Sequence, residues 1–319
     1  MKIGIEGQRL FRVKKHGMDM VALELIRELQ KLDSENQYYI YVKPDEDDTC
    51  LKGLDNFHIR KIEGGAYPLW EQRALPKAAK EDGVDILHCT SNTAPIKTDI
   101  PLIVTLHDII YMEKSYLKIL RDSGTNYQKF GNIYRRYIVP RMVKKAHKLI
   151  TVSKFEKKRI DEHFKLQDGL LEAVYNGVSE HFVNVSDKDI LRDVKVKYKL
   201  PDKFFFFLGN TDPKKNTKGV LIAMRDFLKK DAIGYKLVMP DYDEGELNQL
   251  LQSINAPELR KQIHLTGYIV NTDLPAIISQ SDIFLYPSLR ESFGIPMLEG
   301  MRCGVPVITS NTSSMPEVS

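Results

Sequence analysis

Ten short apolar runs recur along this chain, at 2–7, 38–42, 85–89, 102–106, 149–153, 204–208, 236–239, 264–267, 282–286 and 305–309, with helical patterns between them. Strands interleaved with helices pair in parallel, because a parallel neighbour is reached only by crossing over the sheet. The clearest helical stretch carries Met18, Val21, Ala22, Leu25, Ile26 and Leu29 at three- and four-residue spacing, with Arg27, Glu28 and Gln30 on its other face. Such a helix buries one stripe against a sheet. The stretch 176–200 is polar, ends in Leu200-Pro201-Asp202 and divides the strands into two sets of about five. The expected fold class is α/β, with two doubly wound domains at 1–180 and 181–319.

A length of 319 residues exceeds a typical single domain, and 42% apolar content suffices for two cores. No run of 18 apolar residues occurs, and Met1-Lys2 leads straight into the first strand, so neither a membrane span nor a signal peptide is expected. A cytoplasmic location follows as the expectation. Cys50, Cys89 and Cys303 lie far apart with no Cys-x-x-Cys pair, which indicates neither a disulfide framework nor a zinc site. A net charge of +4, from 47 basic and 43 acidic residues, is too mild to imply nucleic acid. Within 135–159 stand Arg135, Arg136, Arg141, Lys144, Lys145, Lys148, Lys154, Lys157, Lys158 and Arg159, with Glu156 the lone acid. Such a run is usually a solvated helix face; the alternative is peripheral contact with anionic lipid head groups or with a phosphorylated acceptor.

The densest chemistry lies near the carboxyl end. Glu291 and Glu299 stand eight positions apart around Gly294 and Pro296, between the strand-like runs 282–286 and 305–309. Proline is favoured in the first helical turn, so the helix starts just after Gly294, with Glu291 in the loop and Glu299 in the helix. Amides at that helix start can hold a diphosphate, one carboxylate can meet sugar hydroxyls, and the other can accept from a ribose. A plain solvated helix face would show two such acids as well. Earlier in the chain, Gly17 precedes a helix and permits an anion to approach its amino end. His107 closes a strand, where it could donate to a sugar hydroxyl. Lys214 and Lys215 follow the strand 204–208 and could stabilise a leaving pyrophosphate.

The segment 282–316 resembles the donor-site signature of the family 4 retaining glycosyltransferases, also called glycosyltransferase group 1. It carries Pro287-Ser288, Glu291, Phe293-Gly294, Pro296, Glu299, Gly304, Pro306-Val307 and Pro316-Glu317, with Ser292 where glycine is common. Thr105-Leu-His107-Asp108 is similar to the family's Thr-x-His-Asp, and 149–153 and 175–178 look like its scaffold segments. Gly209 and Lys215 match the basic turn, although Asn210 stands where arginine is frequent and the first loop has a single glycine where a pair is common.

The resemblance implies the GT-B architecture, two Rossmann-like domains facing across a cleft. It implies His107, Glu291 and Lys215 as catalytic residues, and Gly17, Gly209, Asn210, Lys214, Lys215, Ser292, Phe293, Gly294, Ile295 and Glu299 as donor contacts. The reaction it implies is hexosyl transfer from a UDP- or GDP-sugar to a hydroxyl of a glycan or lipid-linked acceptor in surface polysaccharide or lipopolysaccharide synthesis. Configuration would be retained by same-face attack, with Glu291 positioning the sugar and Glu299 the ribose. No metal or other cofactor is expected. The acceptor would lie near the loops 92–98 and 109–127, and Trp70 would pack in the core instead of stacking on a sugar. Family members continue beyond the point matching Ser319, so the second domain is expected to be incomplete. The competing readings are a weak or inactive nucleotide-sugar binding protein and another GT-B enzyme such as a phosphorylase or epimerase. A dinucleotide dehydrogenase is disfavoured, because no Gly-x-Gly-x-x-Gly follows the first strand.

Overall fold

The computed structural model describes residues 1–15, 17–113, 126–230 and 234–319. The chain forms two compact units, Met1–Tyr175 and Asn176–Ser319. The stretch 176–200 is part of the second unit, where Phe182, Val194, Tyr198 and Leu200 join the core.

The first unit holds seven strands: β1 (Lys2–Glu6), β2 (Gln37–Val42), β3 (Phe57–Lys61), β4 (Ile86–Cys89), β5 (Leu102–Thr105), β6 (Lys148–Thr151) and β7 (Leu171–Ala173). They form one sheet in the order β3-β2-β1-β4-β5-β6-β7, and every pairing is parallel. The sequence pattern foretells about five strands here. The additional two, β3 and β7, are the sheet's edges. Edge strands need no continuous apolar run, and Phe57-His-Ile-Arg-Lys61 has none.

The second unit has β8 (Lys203–Phe207), β9 (Tyr235–Met239), β10 (Ile263–Leu265), β11 (Ile283–Tyr286) and β12 (Val307–Thr309), all parallel, in the order β10-β9-β8-β11-β12. Both faces of this sheet are covered, which explains the four consecutive phenylalanines of β8. Phe204 and Phe206 pack on one side with Val238, Phe284, Ile277 and Met297, while Phe205 and Phe207 pack on the other with Leu221, Leu237 and Leu247. Each buried phenylalanine contributes roughly 1.5–3 kcal/mol.

One contact in this core fixes the helix Ile295–Arg302 at its working height. A Cβ added to Gly300 would meet Phe284 Cδ1 at 2.1 Å and Val307 Cγ2 at 3.1 Å, so only glycine lets the helix sit this close to β11 and β12. Gly300→Ala is expected to destabilise the chain by about 2 kcal/mol through overpacking. Thermal unfolding checks this, and an unchanged melting temperature would refute the close-packing account.

Trp70 is fully buried and donates its indole N–H to the Ile62 carbonyl at 3.0 Å, so it is a core residue. Cys89 and Cys303 are buried, Cys50 is half-buried, and all three are free thiols.

Candidate active site

In each sheet the strand order turns back on itself once, between β1 and β4 and between β8 and β11. Loops leaving the carboxyl ends of such neighbours part to opposite faces and open a crevice, where ligands of doubly wound sheets bind. In the second unit the expected residues follow β8 and β11, at its reversal, whereas in the first unit Gly17 lies after β1 and His107 follows β5, one strand beyond the reversal.

In the second unit, β8 runs through Gly209 and Asn210 into the short 3-10 turn Pro213–Lys215. The Asn210 side chain accepts from the Asp212 N–H at 2.9 Å, and Asp212 accepts from the Lys214 N–H at 3.0 Å, so the turn is stitched by its own side chains. Leu289 N–H donates to the Lys214 carbonyl at 2.7 Å, and Asn216 Nδ2 donates to the Pro287 carbonyl at 3.2 Å, tying this turn to the loop after β11. Lys215 is thereby brought to Glu291, with Nζ 2.6 Å from Oε1 and side chains only 16% and 12% exposed. Tyr286 completes the cluster: Lys215 Nζ is 3.5 Å from its hydroxyl. Burial, reinforced by the Glu291 charge, pushes the Tyr286 phenol well above its ordinary value.

The loop carrying Glu291 is held from behind. Glu291 N–H donates to Ser313 Oγ at 3.0 Å, and Ser314 Oγ is placed to donate to the carbonyls of Glu291 and Phe293 at 3.1 and 2.9 Å. Ser292 lies half-buried in this loop and Phe293 is buried. Gly294 caps the following helix at φ +104°, a left-handed conformation that favours glycine, and Ile295 and Pro296 begin the helix. Glu299 lies on the same helix, and burial raises its carboxyl from 4.5 to about 7. Lys214 is half-buried, with Asp212 at 3.7 Å. Among the described residues no group of three His, Cys, Asp or Glu side chains is placed to hold a metal ion.

In the first unit, Gly17 lies at the amino end of the helix Gly17–Leu32. The preceding loop contributes an ion pair that the sequence does not reveal, Arg9 with the buried Asp19 at 2.9 Å. His107 follows β5 and is 5% exposed. Its backbone N–H donates to Asn92 Oδ1 at 2.6 Å, and its ring Nε2 lies 2.9 Å from the Thr90 carbonyl. A carbonyl only accepts, so Nε2 carries the hydrogen. Burial lowers the imidazole pKa, so the neutral ring keeps its lone pair on Nδ1. His107 thus presents an acceptor at Nδ1.

Two further buried acids in this unit escape sequence reasoning. Glu6, at the end of β1, accepts from the Gln8 N–H at 3.0 Å and from Thr90 Oγ1 at 3.1 Å. Glu71, 1% exposed, sits in a widened helical turn Trp70–Ala74 and receives Tyr67, Tyr134, Gln72 and Thr93. Burial pushes the Glu71 carboxyl up, against the pull of the Thr93, Tyr134 and Tyr67 hydroxyls. A carboxylate in a helical stretch reads as a wet surface residue, so nothing in the sequence marked it.

The basic run 135–159 does not form one face. It spreads over the helix Asn126–Val143, β6 and the helix Lys154–Phe164. Several of its cations are engaged within the fold: Arg136 with the Met112 carbonyl at 3.0 Å, Lys145 with that of Ile96 at 3.2 Å, and Arg159 with Glu113 at 3.0 Å. No helix among the described residues is long and apolar enough to cross a membrane. Most of the expected acceptor loop 109–127 lies outside the described residues.

Comparison with known proteins agrees with this geometry. Residues 16–182 match the family described as Glycosyltransferase Family 4, and residues 188–319 match Glycosyl transferases group 1. The chain is 32% identical to the O-antigen chain mannosyltransferase B of Escherichia coli over 174 residues, 54% of this chain and 45% of that protein. It is 25% identical to the O-antigen chain mannosyltransferase RfbU of Salmonella typhimurium, covering 82% of this chain and 65% of the relative. The chain thus spans under half the length of the first of these relatives. Among solved structures, Anabaena Alr3699/HepE in complex with UDP and glucose aligns over 99% of this chain and 82% of its own, with a TM-score of 0.70 and 16% identity. WaaG, a glycosyltransferase involved in lipopolysaccharide biosynthesis, aligns over 99% and 83% with a TM-score of 0.69 and 14% identity. These likenesses and the two parallel sheets establish the GT-B fold, and because the family 4 match alone spans more than half its residues, this chain belongs to glycosyltransferase family 4.

Proposed function

We propose that this chain transfers a hexosyl unit from a nucleoside diphosphate sugar to a hydroxyl of a glycan or glycolipid, with retained configuration and without a metal. The observation that carries this reading is the Lys215–Glu291 pair, seated at the switch point of the second sheet beside the amino end of the helix Ile295–Arg302. A cation and a helix amino end together suit a diphosphate, and a carboxylate beside them suits sugar hydroxyls.

In this mechanism the bond from the anomeric carbon to the diphosphate oxygen breaks while the acceptor oxygen bonds to the same face of that carbon. The acceptor proton goes to the departing phosphate oxygen. Lys215 and the backbone amide of Ile295 stabilise the charge that grows on the leaving group. Glu291 holds the sugar in place, Glu299 accepts from the ribose, and Nδ1 of His107 accepts a hydroxyl of the sugar or acceptor. The relatives named as O-antigen mannosyltransferases support a hexosyl unit and a surface glycan as product, and the structural neighbour solved with UDP and glucose supports a nucleotide-sugar donor.

The test is a panel of UDP-, GDP-, ADP- and dTDP-sugars, mannosyl and glucosyl donors first, followed by thermal shift and nucleoside diphosphate release with and without EDTA. One donor is expected to stabilise the chain and to be turned over in the presence of EDTA. Release abolished by EDTA would end the metal-free reading. The exposed Asn210, an uncharged residue engaged in its own turn, favours a second reading in which the diphosphate clamp is weak and donor binds without transfer. Stabilisation without release would support that alternative, and silence toward every donor would sink both.

A further inference from the structure

The Glu71 cluster has no part in the mechanism above, yet it lies one residue away from the groups that seat His107. Glu71 Oε1 receives the Tyr134 hydroxyl and Gln72 Nε2, both at 2.6 Å. Its Oε2 receives the Tyr67 hydroxyl at 2.7 Å and a short bond from Thr93 Oγ1. The Tyr67 and Thr93 hydroxyls are also 2.6 Å from each other, so the carboxyl group closes a ring of three oxygens that share their hydrogens. A glutamine would turn an amino group toward two of the four partners.

Thr93 is where this network meets the turn after β4. Its neighbour Asn92 holds φ at +68°, a left-handed conformation that asparagine tolerates better than most residues. Asn92 N–H donates to the Thr105 carbonyl at 3.1 Å, and its Oδ1 accepts the His107 N–H. Thr90, two residues earlier, supplies the carbonyl that fixes the imidazole tautomer. The turn 90–93 therefore grips His107 at backbone and ring, and its far end is anchored to the carboxylate buried under it. The anchor is rigid on its own side as well. Leu75 N–H bonds the Trp70 carbonyl five residues back, a widened turn of the kind frequent at functional sites, and both adjacent residues, Trp70 and Glu71, are buried.

We propose that Glu71 is a positioning residue for His107, acting through Thr93 and the turn 90–93 to fix where the imidazole sits and which nitrogen carries its proton. This rests on the proposed role of His107 in transfer, so the test has one arm that needs no activity. The full chain is labelled with nitrogen-15 histidine, and the His107 ring is assigned by its loss in His107→Asn. Wild type is expected to show the Nε2–H tautomer. In Glu71→Gln, and in Thr93→Val, which cuts only the link to the turn, the His107 ring signals are expected to move, while those of His58 and His264, on other strands, stay in place. A purely structural role would lower the melting temperature without moving His107 selectively.

The second arm measures transfer with whichever donor the panel selects. Displacing His107 is expected to lower kcat by up to about 100-fold, as a misplacement of about 1 Å can, with the donor KM within about twofold of wild type. Should Glu71→Gln fail to fold, Thr93→Val decides. Unmoved His107 signals in a folded variant overturn the proposal. Wild type without transfer refutes the proposed function instead, and leaves the first arm standing.

Discussion

Glu291→Ala is expected to lower kcat/KM for transfer by about 100- to 1,000-fold, the usual loss when one group aimed at the reacting centre is removed, while nucleoside diphosphate binds at least as tightly as to wild type. The separation follows from the ion pair. Lys215 and Glu291 are 2.6 Å apart and both little exposed, so each offsets the other's charge. Deleting Glu291 leaves a half-buried ammonium whose best remaining partner is a phosphate, and an unpaired cation in a sheltered site draws an anion more strongly than a neutralised one. What disappears is the acceptor of sugar hydroxyls, and with it the orientation of the anomeric carbon. Calorimetric titration with the nucleoside diphosphate and initial rates with the full donor separate the two effects. A variant that loses nucleotide affinity in step with turnover would show that Glu291 serves the diphosphate clamp, and the sugar-positioning role would be withdrawn.

That pair also marks the limit of what the sequence made legible. Eight of the ten legible strands lie inside their sheets, where a parallel strand covered on both faces is a continuous apolar run, and β8 is the extreme case with Phe204 through Phe207. The strands that were not legible, β3 and β7, both lie at sheet edges, and β7 is only three residues long. Glu291, Glu299 and Lys215 stood out through the resemblance of their motifs. Their pairing did not: Lys215 and Glu291 are 76 residues apart and meet only because β8 and β11 are neighbours. The tautomer of His107 was hidden for a related reason, since the partner fixing it is a backbone carbonyl seventeen residues away that no side-chain pattern encodes. Glu71 was invisible because its burial depends on Tyr67 one turn away and on Thr93 and Tyr134 from two distant segments.

Glu299 joins stability to function in opposite directions, and Glu299→Gln is expected to stabilise the unliganded chain at pH 8 while weakening nucleotide binding. Burial raises the folded carboxyl from 4.5 to about 7. At pH 4 the group is largely protonated whether the chain is folded or not, and it costs nothing. Between the two values the unfolded chain carries the charge and the folded one does not. Above the folded value the native state must hold a carboxylate in a poorly solvated place, and the full penalty applies. At about 1.4 kcal/mol per pH unit, reduced because the side chain keeps some contact with water, the penalty is about 2 kcal/mol at pH 8. Glutamine removes it, so the variant should melt about 5 °C above wild type at pH 8, with the gain fading to nothing at pH 4. The same charge is what a ribose would use, because a hydrogen bond to a carboxylate is stronger than one to an amide, and its loss is expected to weaken nucleoside diphosphate binding about tenfold at pH 8. Wild-type affinity should itself fall between pH 8 and pH 6 as Glu299 takes up a proton. Paired melting curves and titrations across this range test both halves: a variant that melts with wild type at every pH refutes the burial penalty, and nucleotide affinity untouched by the substitution refutes the ribose contact.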